Sequence, residues 1–255
     1  MKLPGVLAAV PLCALSLASA QSRGVLQNYL NKPGFQWTCS HLAHIEFCRP
    51  AALAPAVAGE SAQVAEASLT VQLRWAGATA YAPRIHIFVL ESAQRMAQLT
   101  RAYAFGVSQP ADHIVCFVEG HPEDLAHEMN HEVMTTLWGP SEPWIAEGLA
   151  AYLSAPDAID DRFRRLAASH RAVSLESMVN DTWTAASPAF PSTVIYPELG
   201  SFVKYLRTRF GMEKLRAVWR GGSAAIQRVL GKQLADLEND WRASLERPQP
   251  RASAH

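Results

Sequence analysis

Net charge, cysteine and long apolar runs are all scarce in this sequence. Its 23 Lys+Arg and 23 Asp+Glu cancel to a formal net charge of zero, so no overall field favours nucleic acid as a partner. Charged residues make up 18% and hydrophobic residues 49%, which suits one globular domain or one domain with two lobes. The cancellation hides an asymmetry. Gln21 to Gly200 holds 11 basic and 18 acidic residues, or −7, and Ser201 to the end holds 11 and 5, or +6. The basic end reads as solvated helix faces, with a docking surface for an anionic partner as the alternative. No internal repeat is visible. The four cysteines lack metal-site spacing, so no thiolate zinc site is expected.

A single long apolar run exists, Leu3 to Leu17 behind Lys2, closed by Ala18-Ser19-Ala20 in a small-x-small pattern. It holds Pro4 and Pro11 and is short for a span. Residues 1–20 therefore read as an export signal, with a retained anchor as the alternative, and the mature chain would begin at Gln21. Leu12 before Cys13 is a poor context for lipidation. No later stretch is apolar enough to cross a membrane, so no stable span is expected after cleavage. Export implies an oxidising compartment. Cys39 and Cys48 are expected to pair, and Cys116, within Ile114-Val115-Cys116-Phe117-Val118, to be a buried strand thiol.

Residues 21–67 read as an irregular, Ala-rich N-terminal segment, with Ala51 to Ala67 a linker leading into a helix. His41 and His44, three apart, read as surface histidines, with a second metal pair as the alternative. Ser68 to Trp75 alternates Leu69, Val71, Leu73 and Trp75 with polar residues and predicts a half-buried strand. Further strands are expected over Arg84–Leu90 and His113–Val118, and a helix over Ser92–Tyr103 with Met96, Leu99 and Tyr103 on one face. Pro122 with Glu123 and Asp124 opens a helix that ends at Trp138 before Gly139-Pro140. Pro143 opens the next, to Ser154. Helices follow from Pro156 to His170, Leu199 to Phe210 (stopped by Gly211), Glu213 to Trp219 and Gln233 to Leu245. Asn180 to Pro197 reads as loop, and 248–255 as a disordered tail. Strands precede helices, which gives an α+β class rather than a βαβ alternation. The main domain is expected over 68–247.

The chemistry concentrates in His127-Glu128-Met129-Asn130-His131 and, sixteen residues on, Glu147. Histidines four apart on a helix lie one turn from each other on one face. Two imidazoles and a carboxylate suit zinc and leave a fourth position for water. Glu128, beside the first histidine, is placed to take a proton from that water. Glu147 lies on an apolar face with Trp144, Ala150 and Ala151, where a carboxylate is costly unless paired or bound to a cation. Gly148, Ala150 and Ala151 would let its helix approach the histidine helix closely. Glu132 follows His131 and turns away from the metal face, to a supporting or surface position.

These residues resemble the gluzincins, zinc metallopeptidases with a His-Glu-x-x-His helix and a glutamate ligand on the next helix, and more narrowly the bacterial peptidase-MA-like group. The match runs through His127–His131, Pro143–Tyr152, Gly200–Leu206 and Arg209–Leu215, and spans roughly Arg84 to Leu245. It implies one Zn2+ held by His127, His131 and Glu147, with Glu128 as general base and a peptide or protein as substrate. It also implies a zincin-like fold, a small twisted sheet packed on the active-site helix and followed by a helical lobe. Many gluzincins carry an acid four residues after the glutamate ligand; here Ala151 stands there. Tyr196 is the candidate for stabilising the oxyanion, with loop-end packing as its other reading and His170 as a weaker alternative. An exported binding or assembly protein that keeps the metal fold without cleaving is the rival function.

Overall fold

The computed structural model describes residues 24–169, 173–180 and 192–246. The 1–20 run, His170 and the 248–255 tail lie outside them. A short helix over 24–30 (α1) precedes an antiparallel hairpin of β1 (Trp37–His41) and β2 (Ile45–Pro50). Cys39 and Cys48 face each other across that hairpin and are disulfide-bonded. Then come α2 (Pro55–Ala76), β3 (Ile85–Leu90), α3 (Ala93–Thr100), β4 (Gly106–Gln109) and β5 (Ile114–Val118). The sheet order is β1-β2-β3-β5-β4. β2, β3 and β5 run parallel, and β1 and β4 are antiparallel edges.

The α+β class holds, but three expectations for the N-terminal third do not. Residues 24–50 are not irregular, since β1 and β2 form one side of the sheet. Parallel β2 and β3 need a crossover, and α2 supplies it, so the sheet does contain βαβ units. The expected strand over Ser68–Trp75 is the second half of α2. Its buried residues are Ala62, Ala65, Leu69, Gln72 and Ala76, a helical spacing, whereas Val71 is 54% exposed. The expected edge of the main domain at residue 68 thus falls inside a helix.

The sheet is covered on both faces, which is why β3 is apolar and buried at every position but His86, whose Nδ1 lies 2.6 Å from Glu46 Oε2. Ile85, Ile87 and Val89 pack with Val115 and Phe117 against α2 and against Leu125, Met129 and Val133 of α4 (Pro122–Trp138). Phe88, Leu90, Cys116 and Val118 pack against Tyr29, Met96 and Leu99 on the other side. Cys116 is a free buried thiol, and burial raises its pKa. α3 stops at Thr100 because Arg101 turns into the left-handed region (φ 69), so Tyr103 lies beyond the helix and is 80% exposed rather than on its buried face.

The helical lobe comprises α5 (Pro143–Ser154), α6 (Ile159–Ser169), α7 (Leu175–Asn180), α8 (Ser192–Gly221), α9 (Ile226–Leu230) and α10 (Leu234–Glu246). α4 contributes to this core too, through Met134 and Trp138. α8 already begins at Ser192, where loop was expected, with Pro197 inside it. Burial of Ile195, Leu199, Phe202, Val203 and Leu206 outweighs the proline. Gly211 breaks its helical geometry (φ 86, ψ 170), as the sequence led us to expect.

Candidate metal centre

α4 and α5 carry the site, and both run over the spans expected from their prolines and glycine. The turn between them is pinned from α8. Trp219 Nε1 donates to the Gly139 carbonyl at 2.9 Å, and Ser141 Oγ donates to the Trp219 carbonyl at 2.6 Å. Glu142 accepts from Trp144 Nε1 at 2.9 Å and from the Ser223 amide at 2.8 Å. Hairpin geometry is thus fixed at its closed end, so the candidate ligands enter on two rigid helices.

Gly148 of α5 serves a different neighbour from the one expected. A Cβ on Gly148 would lie 2.7 Å from Val203 Cγ2 and 2.9 Å from the Leu199 carbonyl oxygen, so Gly148 admits α8, not α4. Gly200 of α8 admits two neighbours: a Cβ there would lie 2.8 Å from Ile159 Cδ1 of α6 and 3.1 Å from the Tyr152 amide nitrogen of α5. This close approach carries Tyr196, near the start of α8, to the site.

His127 Nε2 lies 3.0 Å from Glu147 Oε2, His131 Nε2 lies 3.1 Å from His127 Nε2, and His131 Nε2 lies 3.3 Å from Glu147 Oε2. Ligand atoms bound at about 2.0–2.1 Å to a tetrahedral zinc stand roughly 3.3 Å apart. The triangle has that size, and its donor set, two imidazole nitrogens and one carboxylate oxygen, is one zinc accepts. Among the described residues this is the one group of histidine, cysteine and acid side chains close enough to share an ion. Burial alone would raise the Glu147 pKa, but the hydrogen bonds and charge of His127 and His131 hold its carboxyl well below the usual range. Burial works against a charged His131, yet Glu147 and Glu128 push its pKa up. The pocket therefore concentrates negative charge and favours positive charge at its centre.

Glu128 points at edge strand β4. A Cβ on Gly106 would come within 2.7 Å of its Cγ and 2.8 Å of its Oε1, so any larger residue there displaces the Glu128 side chain. Loss of hydration raises the Glu128 pKa, helped by Glu147 and opposed by the two histidines and Ser108. Gly106 carried no signal in the sequence. Ser108 follows on the same short strand. The site opens into a cleft of about 810 Å3, whose far wall includes Tyr103, Phe105 and Pro110.

Tyr196 stacks on His127 with ring centroids 5.4 Å apart and planes at 16°, and its hydroxyl interacts with the Glu147 carboxylate. Burial and the Glu147 charge raise its pKa above the ordinary range. Glu132 is not exposed, and its hydrogen bonds go to residues outside the His127, His131 and Glu147 group. Fully buried, it accepts from Tyr81 Oη at 2.5 Å and Thr136 Oγ1 at 3.3 Å and lies 2.7 Å from His113 Nδ1. It ties α4 to the start of β5. His41 and His44 do not converge: His41 pairs with Glu46 at 3.4 Å and His44 with Glu66 at 3.6 Å. Comparison with family models, with curated proteins and with solved structures finds no match for this chain.

Proposed function

We propose that this chain is an exported zinc-dependent peptidase of the gluzincin type, with a zincin-like fold. The observation that carries the proposal is the triangle of His127, His131 and Glu147 donor atoms, 3.0–3.3 Å on each side, with Glu128 beside it in the cleft wall. His127, His131 and Glu147 would hold the ion. Zinc, when bound, supplies Lewis-acid polarisation and lowers the pKa of water. Glu128 accepts the proton of the attacking water and returns it to the departing amine. A carboxyl whose pKa is raised by burial suits both halves of that task. Among the described residues β4 pairs with β5 alone, and on this reading an extended peptide would add to its unpaired edge along the cleft. The Cys39–Cys48 bridge is in keeping with an oxidising compartment. Among the described residues no helix is long and apolar enough to cross a membrane.

The test is Glu128→Gln in a peptide-library digest, with metal content measured alongside. The variant is expected to retain one zinc per chain and to lose nearly all turnover. Hydrolysis that survives the substitution removes Glu128 from the mechanism. Zinc bound by the natural chain without any cleavage favours the rival reading, a binding or assembly protein.

A further inference from the structure

The histidine pair has an unfilled structural need. Imidazoles that bind a metal through one ring nitrogen are generally oriented by a hydrogen bond at the other. His127 and His131 both turn Nε2 to the shared centre, and among the described residues no hydrogen bond reaches either Nδ1. No acid stands on the neighbouring turn of α5, where Ala150 and Ala151 are buried. His127 is nonetheless confined, since the Tyr196 ring lies nearly parallel to it at 5.4 Å. The same side chain reaches the third ligand, Glu147, through its hydroxyl. Tyr196 is itself held by the α5–α8 contact that Gly148 and Gly200 make possible.

Resting on the metal reading above, we propose that Tyr196 is a positioning residue for the ligand set: its ring fixes the plane of the His127 imidazole and its hydroxyl fixes the Glu147 carboxylate. The role differs from oxyanion stabilisation. It acts on metal affinity before any substrate arrives, and it has two separable parts. Tyr196→Phe keeps the stacked ring and removes the hydroxyl. Tyr196→Leu removes both.

The experiment measures zinc affinity of the metal-free full-length protein by competition with a chromophoric chelator, and the visible spectrum of the cobalt-substituted protein. Loss of an orienting partner weakens metal binding by about 10–100-fold. Tyr196→Leu is expected to fall in that range and to broaden or shift the cobalt bands. Tyr196→Phe is expected to recover a part of the loss, and it is the variant that decides the matter if the leucine variant fails to fold. Leucine and natural proteins of equal affinity overturn the proposal, as does phenylalanine no better than leucine. Unchanged zinc affinity with reduced turnover assigns Tyr196 to oxyanion stabilisation instead, and so overturns it too. Failure of the natural protein to bind zinc is a separate result, and it removes the metal reading itself.

Discussion

Glycine to alanine in a helix is normally favourable by about 1 kcal/mol, because alanine loses less backbone freedom and is the better helix former. Two glycines of this chain should respond with opposite signs. Gly59 lies within α2, and a Cβ there meets nothing within 4 Å. Gly59→Ala should raise stability by about 0.5–1 kcal/mol. Gly148 lies within α5, and a Cβ there meets Leu199 backbone atoms at 2.9 and 3.1 Å as well as Val203 Cγ2 at 2.7 Å. Backbone cannot rotate aside, so α5 and α8 must separate. Overpacking costs about 1–3 kcal/mol. With contacts this short we take about 2–3, less about 1 for propensity, leaving a net loss of about 1–2 kcal/mol. In a chain of this size that lowers the melting temperature by about 2–8 °C. Glu147 is the preceding residue, so the same displacement pulls its carboxylate away from the histidines. Zinc affinity should therefore fall in Gly148→Ala and stay unchanged in Gly59→Ala. Calorimetry of the metal-free proteins and chelator competition measure the two effects. A Gly148→Ala protein as stable as the parent, with equal zinc affinity, would refute the idea that this helix contact places Glu147.

Three further outcomes follow from buried or exposed side chains. Glu198 is 1% exposed, and burial pushes its pKa to about 7 from an ordinary 4.5, against the Val173 amide and Arg242. Its folded value lies above its unfolded one, so its contribution is complete below about pH 4.5 and is lost as pH rises through 7. Melting temperature between pH 5 and 8 should fall in the parent and flatten in Glu198→Gln. Glu132→Ala leaves Tyr81 and His113 without their shared acceptor and should cost about 1–3 kcal/mol in urea unfolding while zinc stoichiometry holds; metal loss at full stability would contradict its assignment as a structural tie. Tyr103, 80% exposed on the cleft wall, should be replaceable by alanine with less than about 0.5 kcal/mol change in stability but a raised KM for peptides; an unchanged KM would take Tyr103 out of the substrate path.

The candidate site was legible because its signals are local. Proline, acids and glycine mark both ends of α4, a four-residue histidine spacing needs only one turn, and Glu147 is conspicuous among apolar neighbours. What failed was non-local or muted. α2 buries Ala62, Ala65 and Ala76, small side chains that leave little periodic signal, while the larger Leu69, Val71, Leu73 and Trp75 happen to alternate. β1 is an edge strand with no fully buried residue, so it shows no run of apolar positions. β4 spans four residues, half-buried throughout. Gly106 lies against a carboxylate more than twenty positions away, and Gly148 against a helix fifty positions away. Neither partner can be named before the fold is known.

α4 has one further property. Leu125, Met129 and Val133 anchor it in the sheet lobe, and Met134 and Trp138 anchor it in the helical one. A segment with tenancy in two interiors cannot be let go by either alone. The imidazoles stand midway along it, so fraying on either side scatters the donor triangle. Half-assembled chains would then lack the three-donor cluster, and only the finished molecule would present it.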